Sequence, residues 1–561
     1  MTENSSGPGG NFGPDEWLDA TARLQELWLS LVQQSAAQLD DWQAAAARDV
    51  PIWSEYADRL MNEILPANRE SLREDRRFAD SEWREQPFFD LLQRTYLMLA
   101  EHMTALADAA EDIEPEKREK LRFAIATAVD ALSPANFALT NPVALKKAIE
   151  TNGASLVKGL GHLIADLRRG QLSHTDPEAF TLGENIAVTP GKVVHETPLY
   201  QLIQYAPATA TVLAAPLVIF PPWINRFYVL DLNPAKSFVR WAVEQGITVF
   251  MVSWKSADAS MADVIWDNYI AAQFDAVAAI RLRLKVPAVH AVGYCVAGTT
   301  LAASLAIAAR RGEADTIKSA TFLTAQVDFS EAGELKHFID EQQVETIGKL
   351  SPQGYLDGRY MAATFNLLRP RELIWAPAIK HYLLGEDYPA FDLLHWNGDV
   401  TNLPAKWQEA YLCDLYRDNR LVVADALSAL GTPIDLARIT TPCYIQAGRE
   451  DHIAPPQSVW KLTHHLAGPW TFLLAGSGHI AGVVNPPASG KYQYWTNPEE
   501  AESLAGFIAG AQEHKGSWWP HWADWLRSCD PALVPASGKR IPGGKGDRII
   551  EDAPGRYVRM R

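Results

Sequence analysis

The chain predicts an α/β fold: a mostly parallel sheet with helices on both faces, preceded by a helical domain. Three observations carry this. From about residue 185, short β-branched runs alternate with helix-sized segments, the signature of βαβ units whose strands are covered on both sides. Ahead of that point, apolar residues recur at helical spacing. Within the alternating region, Gly293-Tyr294-Cys295-Val296-Ala297-Gly298 follows the apolar run Val289-His290-Ala291-Val292 and precedes the helix-like Thr299-Thr300-Leu301-Ala302-Ala303-Ser304-Leu305.

In the N-terminal region, Leu24, Leu27, Trp28 and Leu31 form one apolar stripe, with Asp15 after Pro14 as the candidate cap. Similar patterns run through Phe88–Leu99 and Leu121–Leu132. These place a disordered tail at residues 1–13 and a helical accessory domain at 14–184. The strands expected next are Leu217–Phe220, Thr248–Val252, Val289–Val292, Ser319–Leu323, Cys443–Ile445 and Thr471–Leu474, with helices at Pro234–Gln245 and Met261–Leu284. Aromatic-rich helical patterns at about 332–403 interrupt the alternation and are expected to form a lid insertion.

A strand, a Gly-flanked turn and a helix make a nucleophile elbow, which lifts one side chain off the end of a sheet. Residues 185–561 are therefore expected to form an α/β-hydrolase fold with a mostly parallel sheet and a lid insertion. The elbow carries cysteine, not the usual serine. A thiol ionises more readily than a hydroxyl and suits thioester exchange, so the chemistry indicated is acyl transfer.

Such a thiol needs a base and a group that orients it. In this fold the chain order is nucleophile, acid, histidine. Asp451, in Gly448-Arg449-Glu450-Asp451-His452, is the candidate acid, and His479, in Gly476-Ser477-Gly478-His479-Ile480, the candidate base. Both follow strand ends, where ligands collect on open parallel sheets. Glu450 competes with Asp451, although the shorter side chain is preferred at such a turn. His452 reads better as hydrogen-bonding scaffold than as a base. The oxyanion hole is expected from the Val296 amide and, in Pro221-Pro222-Trp223-Ile224-Asn225, the Ile224 amide.

Composition narrows the function classes. The 561 residues are 47% hydrophobic and 21% charged, with a net charge of −17; this suits a soluble globular protein and argues against nucleic acid as a partner. Four scattered cysteines form no disulfide or metal framework, so a cytoplasmic setting is expected. Cys413, Cys443 and Cys529 read as inert, and His290, His464 and His465 as structural. The polar stretch Met1–Gly13 does not read as a signal peptide, and no apolar run is long enough to span a bilayer. Of the 19 tryptophans, Trp518, Trp519, Trp522 and Trp525 are the candidates for an apolar tunnel or polymer surface, against the alternative of core packing.

The boxes Gly-Tyr-Cys-Val-Ala-Gly-Thr (293–299), Pro-Pro-Trp-Ile-Asn (221–225), Gly-Arg-Glu-Asp-His-Ile (448–453) and Gly-Ser-Gly-His-Ile-Ala-Gly (476–482) resemble those of polyhydroxyalkanoate synthases. So do Asn-Ile-Ala-Val-Thr-Pro-Gly-Lys-Val-Val (185–194), Phe-Asp-Leu-Leu-His-Trp-Asn (391–397) and Ala-Pro-Gly-Arg-Tyr-Val (553–558). The elbow and C-terminal boxes are most similar to class I, single-subunit enzymes. One departure is Ala297, where most relatives carry glycine; alanine is still small enough for the close approach. The resemblance implies polymerisation of short (R)-3-hydroxyacyl-CoA, typically 3-hydroxybutyryl-CoA, with release of CoA and no cofactor beyond that thioester substrate. It implies a Cys295 thioester, deprotonation by His479, and Asp451 either orienting His479 or helping to activate the 3-hydroxyl. It further implies a homodimer on intracellular polyester granules, with granule-associated proteins as further partners. The rival readings are a cysteine-elbow thioesterase or lactone hydrolase and, from another class, a non-enzymatic granule coat.

Overall fold

The structure, a computed structural model, describes residues 75–109, 113–339, 341–499 and 501–561. The Leu24–Leu31 stripe and its Asp15 cap lie outside the described residues. The described residues form two compact units: those from Asp75 to Asp176 with Ala362–Pro389, and those of Pro177–Met361 with Ala390–Arg561.

The first unit is helical. Helices α1 (Pro87–Ala109) and α2 (Pro115–Ala131) occupy the two periodic stretches expected there. Helix α3 (Pro142–Glu150) begins where the Asn141 side chain accepts from the Val143 and Ala144 amides at 3.0 and 3.1 Å, with proline at its first position. Helix α4 (Ala154–Arg169) stops at Gly170, whose φ of 69° suits a residue without a β-carbon. Phe78, Trp83, Phe89, Tyr96 and Leu97 form a small core.

Ala362–Pro389 belongs to this helical unit, although 332–403 reads in the sequence as one insertion of the catalytic region. The reason is polar and steric. The Tyr382 and Tyr388 hydroxyls donate to Asp166 on α4 at 2.6 and 3.4 Å. A β-carbon at Gly159 would collide with the Tyr382 carbonyl, so glycine permits the close approach.

The second unit is built on an eleven-stranded sheet. Its strands are β1 (Gly191–Glu196), β2 (Tyr200–Tyr205), β3 (Leu217–Phe220), β4 (Val249–Trp254), β5 (Val289–Tyr294), β6 (Ile317–Leu323), β7 (Cys443–Gly448), β8 (Trp470–Ala475), β9 (Gln493–Thr496), β10 (Gln512–Lys515) and β11 (Glu551–Asp552). Their order is β10-β9-β8-β7-β6-β5-β3-β4-β2-β1-β11. The six from β8 to β4 are parallel, and both flanks are antiparallel. The six expected strands are these six. Strands β3, β4, β5 and β7 are buried throughout, which explains their near-continuous apolar character. Helices α5 (Phe238–Glu244) and α6 (Trp266–Leu284) match the expected crossovers with shorter N-termini.

Trp518, Trp519 and Trp522 are fully buried in the core, not displayed in a tunnel or on a surface. Their indole nitrogens donate to Gly482 O, Val483 O and Thr321 Oγ1 at 2.8 to 3.0 Å. Trp519 and Trp522 each pack 5.1 Å from the Phe238 ring. Trp525 is half-buried against Tyr444. Among the described residues, no helix is long and apolar enough to cross a membrane.

Candidate active site

Because β3, β5, β7 and β8 run parallel, the loops after their C-terminal ends emerge along one edge of the sheet. Cys295 sits between β5 and helix α7 (Val296–Arg311) with φ 53° and ψ −129°, a conformation strained for any residue with a β-carbon. The surroundings enforce it. The Cys295 amide donates to Leu323 O at 2.9 Å, and Gly293 and Gly298 let strand and helix touch. The thiol is half-buried.

His479 stands opposite. Its Nδ1 is 2.7 Å from Asp451 Oδ2, and its ring lies 5.6 Å from that of Tyr294, the residue before Cys295. The other Asp451 oxygen accepts from the Ile453 and Ala454 amides, each at 2.9 Å, so the carboxylate is fixed from both sides. The two loops are tied together: the Glu450 amide donates to Ser477 O at 3.0 Å and the Arg449 amide to Ala475 O at 2.8 Å. The Tyr294 hydroxyl, buried beneath, donates to His479 O at 2.9 Å.

Burial opposes charge on the His479 ring, but the Asp451 carboxylate and then the Cys295 sulfur outweigh it, raising the pKa to about 10. At neutral pH the imidazolium therefore has one proton directed at Asp451 and one available to the sulfur side.

The remaining candidates fall as follows. Val296 opens α7, so its amide is one of the helix-start donors without an intrahelical acceptor. Phe220 pairs with Gly293 in register, which sets the Pro221–Asn225 loop beside the elbow. That loop is held by Trp254 Nε1 on Pro221 O and by Thr401 Oγ1 on Trp223 O, both at 2.7 Å; half-buried Ile224 follows. Glu450 is exposed, whereas the Asp451 side chain has no exposure. His452 is half-buried, its carbonyl close to Gly333. His290 is buried on Ser319 at 2.7 Å, with its pKa lowered by burial to about 4. Cys443 is buried, while Cys413 and Cys529 are half-buried; burial raises all three thiols. Among the described residues no group of His, Cys, Asp and Glu converges as a metal site requires.

Sequence reasoning passed over Tyr416, buried with its hydroxyl 3.3 Å from Gln326 Nε2, and half-buried Tyr411, whose ring packs against it. Their spacing of five residues is the one local signal, and it matches no common helical face.

The parallel sheet, elbow and histidine–carboxylate pair define a member of the α/β-hydrolase fold, and residues 242–486 match the model described as "alpha/beta hydrolase fold". Residues 74–242 match the N-terminal model of poly-beta-hydroxybutyrate polymerase (PhaC). The chain is 42% identical over 554 residues to the poly(3-hydroxyalkanoate) polymerase subunit PhaC of Rhizobium meliloti, covering 97% of this chain and 89% of that protein. It is 43% identical over 581 residues to PhaC of Cupriavidus necator, covering 98% and 96%. It belongs to the poly(3-hydroxyalkanoate) polymerase family.

Proposed function

We propose that this enzyme polymerises (R)-3-hydroxyacyl-CoA of short chain length into polyester with release of CoA, through a thioester on Cys295. The observation that carries this is the fixed Asp451–His479 pair beside a cysteine on a nucleophile elbow, in a chain of this family. With its proton already held by His479, Cys295 Sγ attacks the thioester carbonyl. The oxyanion is held by the Val296 and Ile224 amides. The carbon–sulfur bond to CoA breaks, and the departing thiolate takes the proton from His479. The 3-hydroxyl of the next thioester then loses its proton to His479 and attacks the acyl-enzyme; Sγ leaves and recovers that proton. Asp451 keeps the ring oriented and stabilises its charge. A thioester is activated enough for an alcohol to attack, which explains sulfur at the elbow.

The reaction so written needs no cofactor beyond the CoA thioester. A class I, single-subunit enzyme acting as a homodimer at polyester granules in the cytoplasm, alongside granule-associated proteins, completes the proposal. The test is incubation of purified protein with (R)-3-hydroxybutyryl-CoA. Insoluble polyester with stoichiometric free CoA is expected. Soluble 3-hydroxybutyrate as the only acyl product would instead identify a thioesterase.

A further inference from the structure

Beyond the cysteine, histidine and carboxylate, the surroundings of the elbow hold a polar pair that the mechanism has not used. The helix Ala405–Ala410 runs on into a wide, π-type turn over Tyr411–Arg417. Within it the Asp418 amide reaches back five residues to Cys413 O at 3.0 Å. Such widening brings residues five apart towards one face and is frequent at functional sites. Here the pair five apart is Tyr411 and Tyr416, with ring centroids 5.4 Å apart.

The environment is apolar. Trp407 stacks on Tyr411 at 5.0 Å and Phe329 lies 4.7 Å from Tyr416. A hydroxyl has one proton and two acceptor sites. Tyr416 accepts from Gln326 Nε2 at 3.3 Å. Among the described residues the Tyr416 hydroxyl donates to no acceptor. The strand that leads to Gln326 accepts the Cys295 amide on Leu323 O at 2.9 Å, so this pair stands beside the elbow. Gln326 Oε1, on the same amide that holds Tyr416, is also buried without a partner among the described residues. Gln326 is itself anchored to the elbow helix, since Thr299 Oγ1 donates to its carbonyl at 2.7 Å. An unused donor and an unused acceptor therefore lie side by side next to the elbow. Leaving both unpaired costs stability.

A hydroxyl group is the partner that accepts from one and donates to the other. We propose that the Tyr416 hydroxyl and Gln326 Oε1 together bind the 3-hydroxyl of the acyl group delivered to Cys295, and so select 3-hydroxyacyl over unsubstituted acyl thioesters. This rests on the acyl-transfer chemistry proposed above and names its specificity determinant.

The test is rapid-quench acylation of Cys295 in the full-length protein, comparing (R)-3-hydroxybutyryl-CoA with butyryl-CoA. Tyr416→Phe should slow acylation by the hydroxylated substrate ~10- to 100-fold, because polar site atoms lose their partner, and change the butyryl rate by no more than about twofold. Gln326→Leu should lower the same ratio. Equal loss on both substrates, or an unchanged ratio in both variants, overturns the inference and leaves acyl transfer standing. A wild-type protein acylated by neither thioester overturns the acyl-transfer proposal itself, and this inference with it.

Discussion

Gly293 and Gly298 meet across the elbow: a β-carbon on Gly293 would lie 2.5 Å from the Gly298 α-carbon and 2.9 Å from its nitrogen. Both obstacles are backbone, so neither can swing aside. One on Gly298 would strike Ala325 and approach Gly293 O at 2.8 Å. The strained Cys295 conformation depends on this contact between strand and helix.

Gly293→Ala is therefore expected to destabilise the protein by ~1–3 kcal/mol or more, as overpacking in a close-packed core does, and to abolish acylation. Thermal unfolding followed beside CoA release measures both. Unchanged melting would mean that the elbow has slack which these distances exclude.

Cys295→Ala should leave the fold intact and lower turnover by several orders of magnitude. His479→Gln should likewise prevent acylation at unchanged melting temperature. Mass spectrometry of the trapped acyl-enzyme separates the two, since the His479 variant retains a thiol to label. Normal substrate labelling in that variant would remove His479 from the mechanism.

Asp451→Asn removes the carboxylate that holds His479 protonated. Burial, which disfavours the charged ring, then loses its main opponent, and the His479 pKa should fall well below about 10. The direction of the linked stability follows. A folded-state pKa raised from 6.5 to about 10 stabilises the fold fully below pH 6.5, and this contribution fades as pH rises through 10. The wild type should accordingly lose stability between pH 6.5 and 10 relative to Asp451→Asn. Histidine ¹⁵N resonances across a titration, with unfolding midpoints at the same pH values, test both statements; coincident profiles would remove the coupling.

Trp522→Ala should cost ~3–5 kcal/mol, the range for emptying a large aromatic site in a core, because the ring is fully buried and its nitrogen is bonded to Thr321. Denaturant unfolding measures this. A loss of polymer yield at unchanged stability would favour a polymer-contacting role instead.

The six parallel strands were legible because burial on both faces leaves a continuous apolar run. The flanking strands were not. Edge strands such as Gln512–Lys515 carry polar, mostly exposed side chains, and Gln493–Thr496 is half-buried at every position. The elbow was legible because its glycines answer a local steric demand. Asp451 and His479 were found from their positions after strands, an order in the chain that the parallel sheet turns into proximity.

What the sequence determined by itself was the sheet class, the elbow that carries Cys295 and the chain order of Asp451 and His479 after it, all of which follow from local periodicity and backbone sterics. Tertiary structure decided which carboxylate of Glu450 and Asp451 reaches the imidazole, since two amides and a neighbouring loop aim one and leave the other in solvent. It also decided that Ala362–Pro389 packs with the helical unit and that Tyr416 meets Gln326, 90 positions away in the chain. These outcomes depend on which surfaces complement one another across distant segments, and complementarity of that kind leaves no pattern in neighbouring residues.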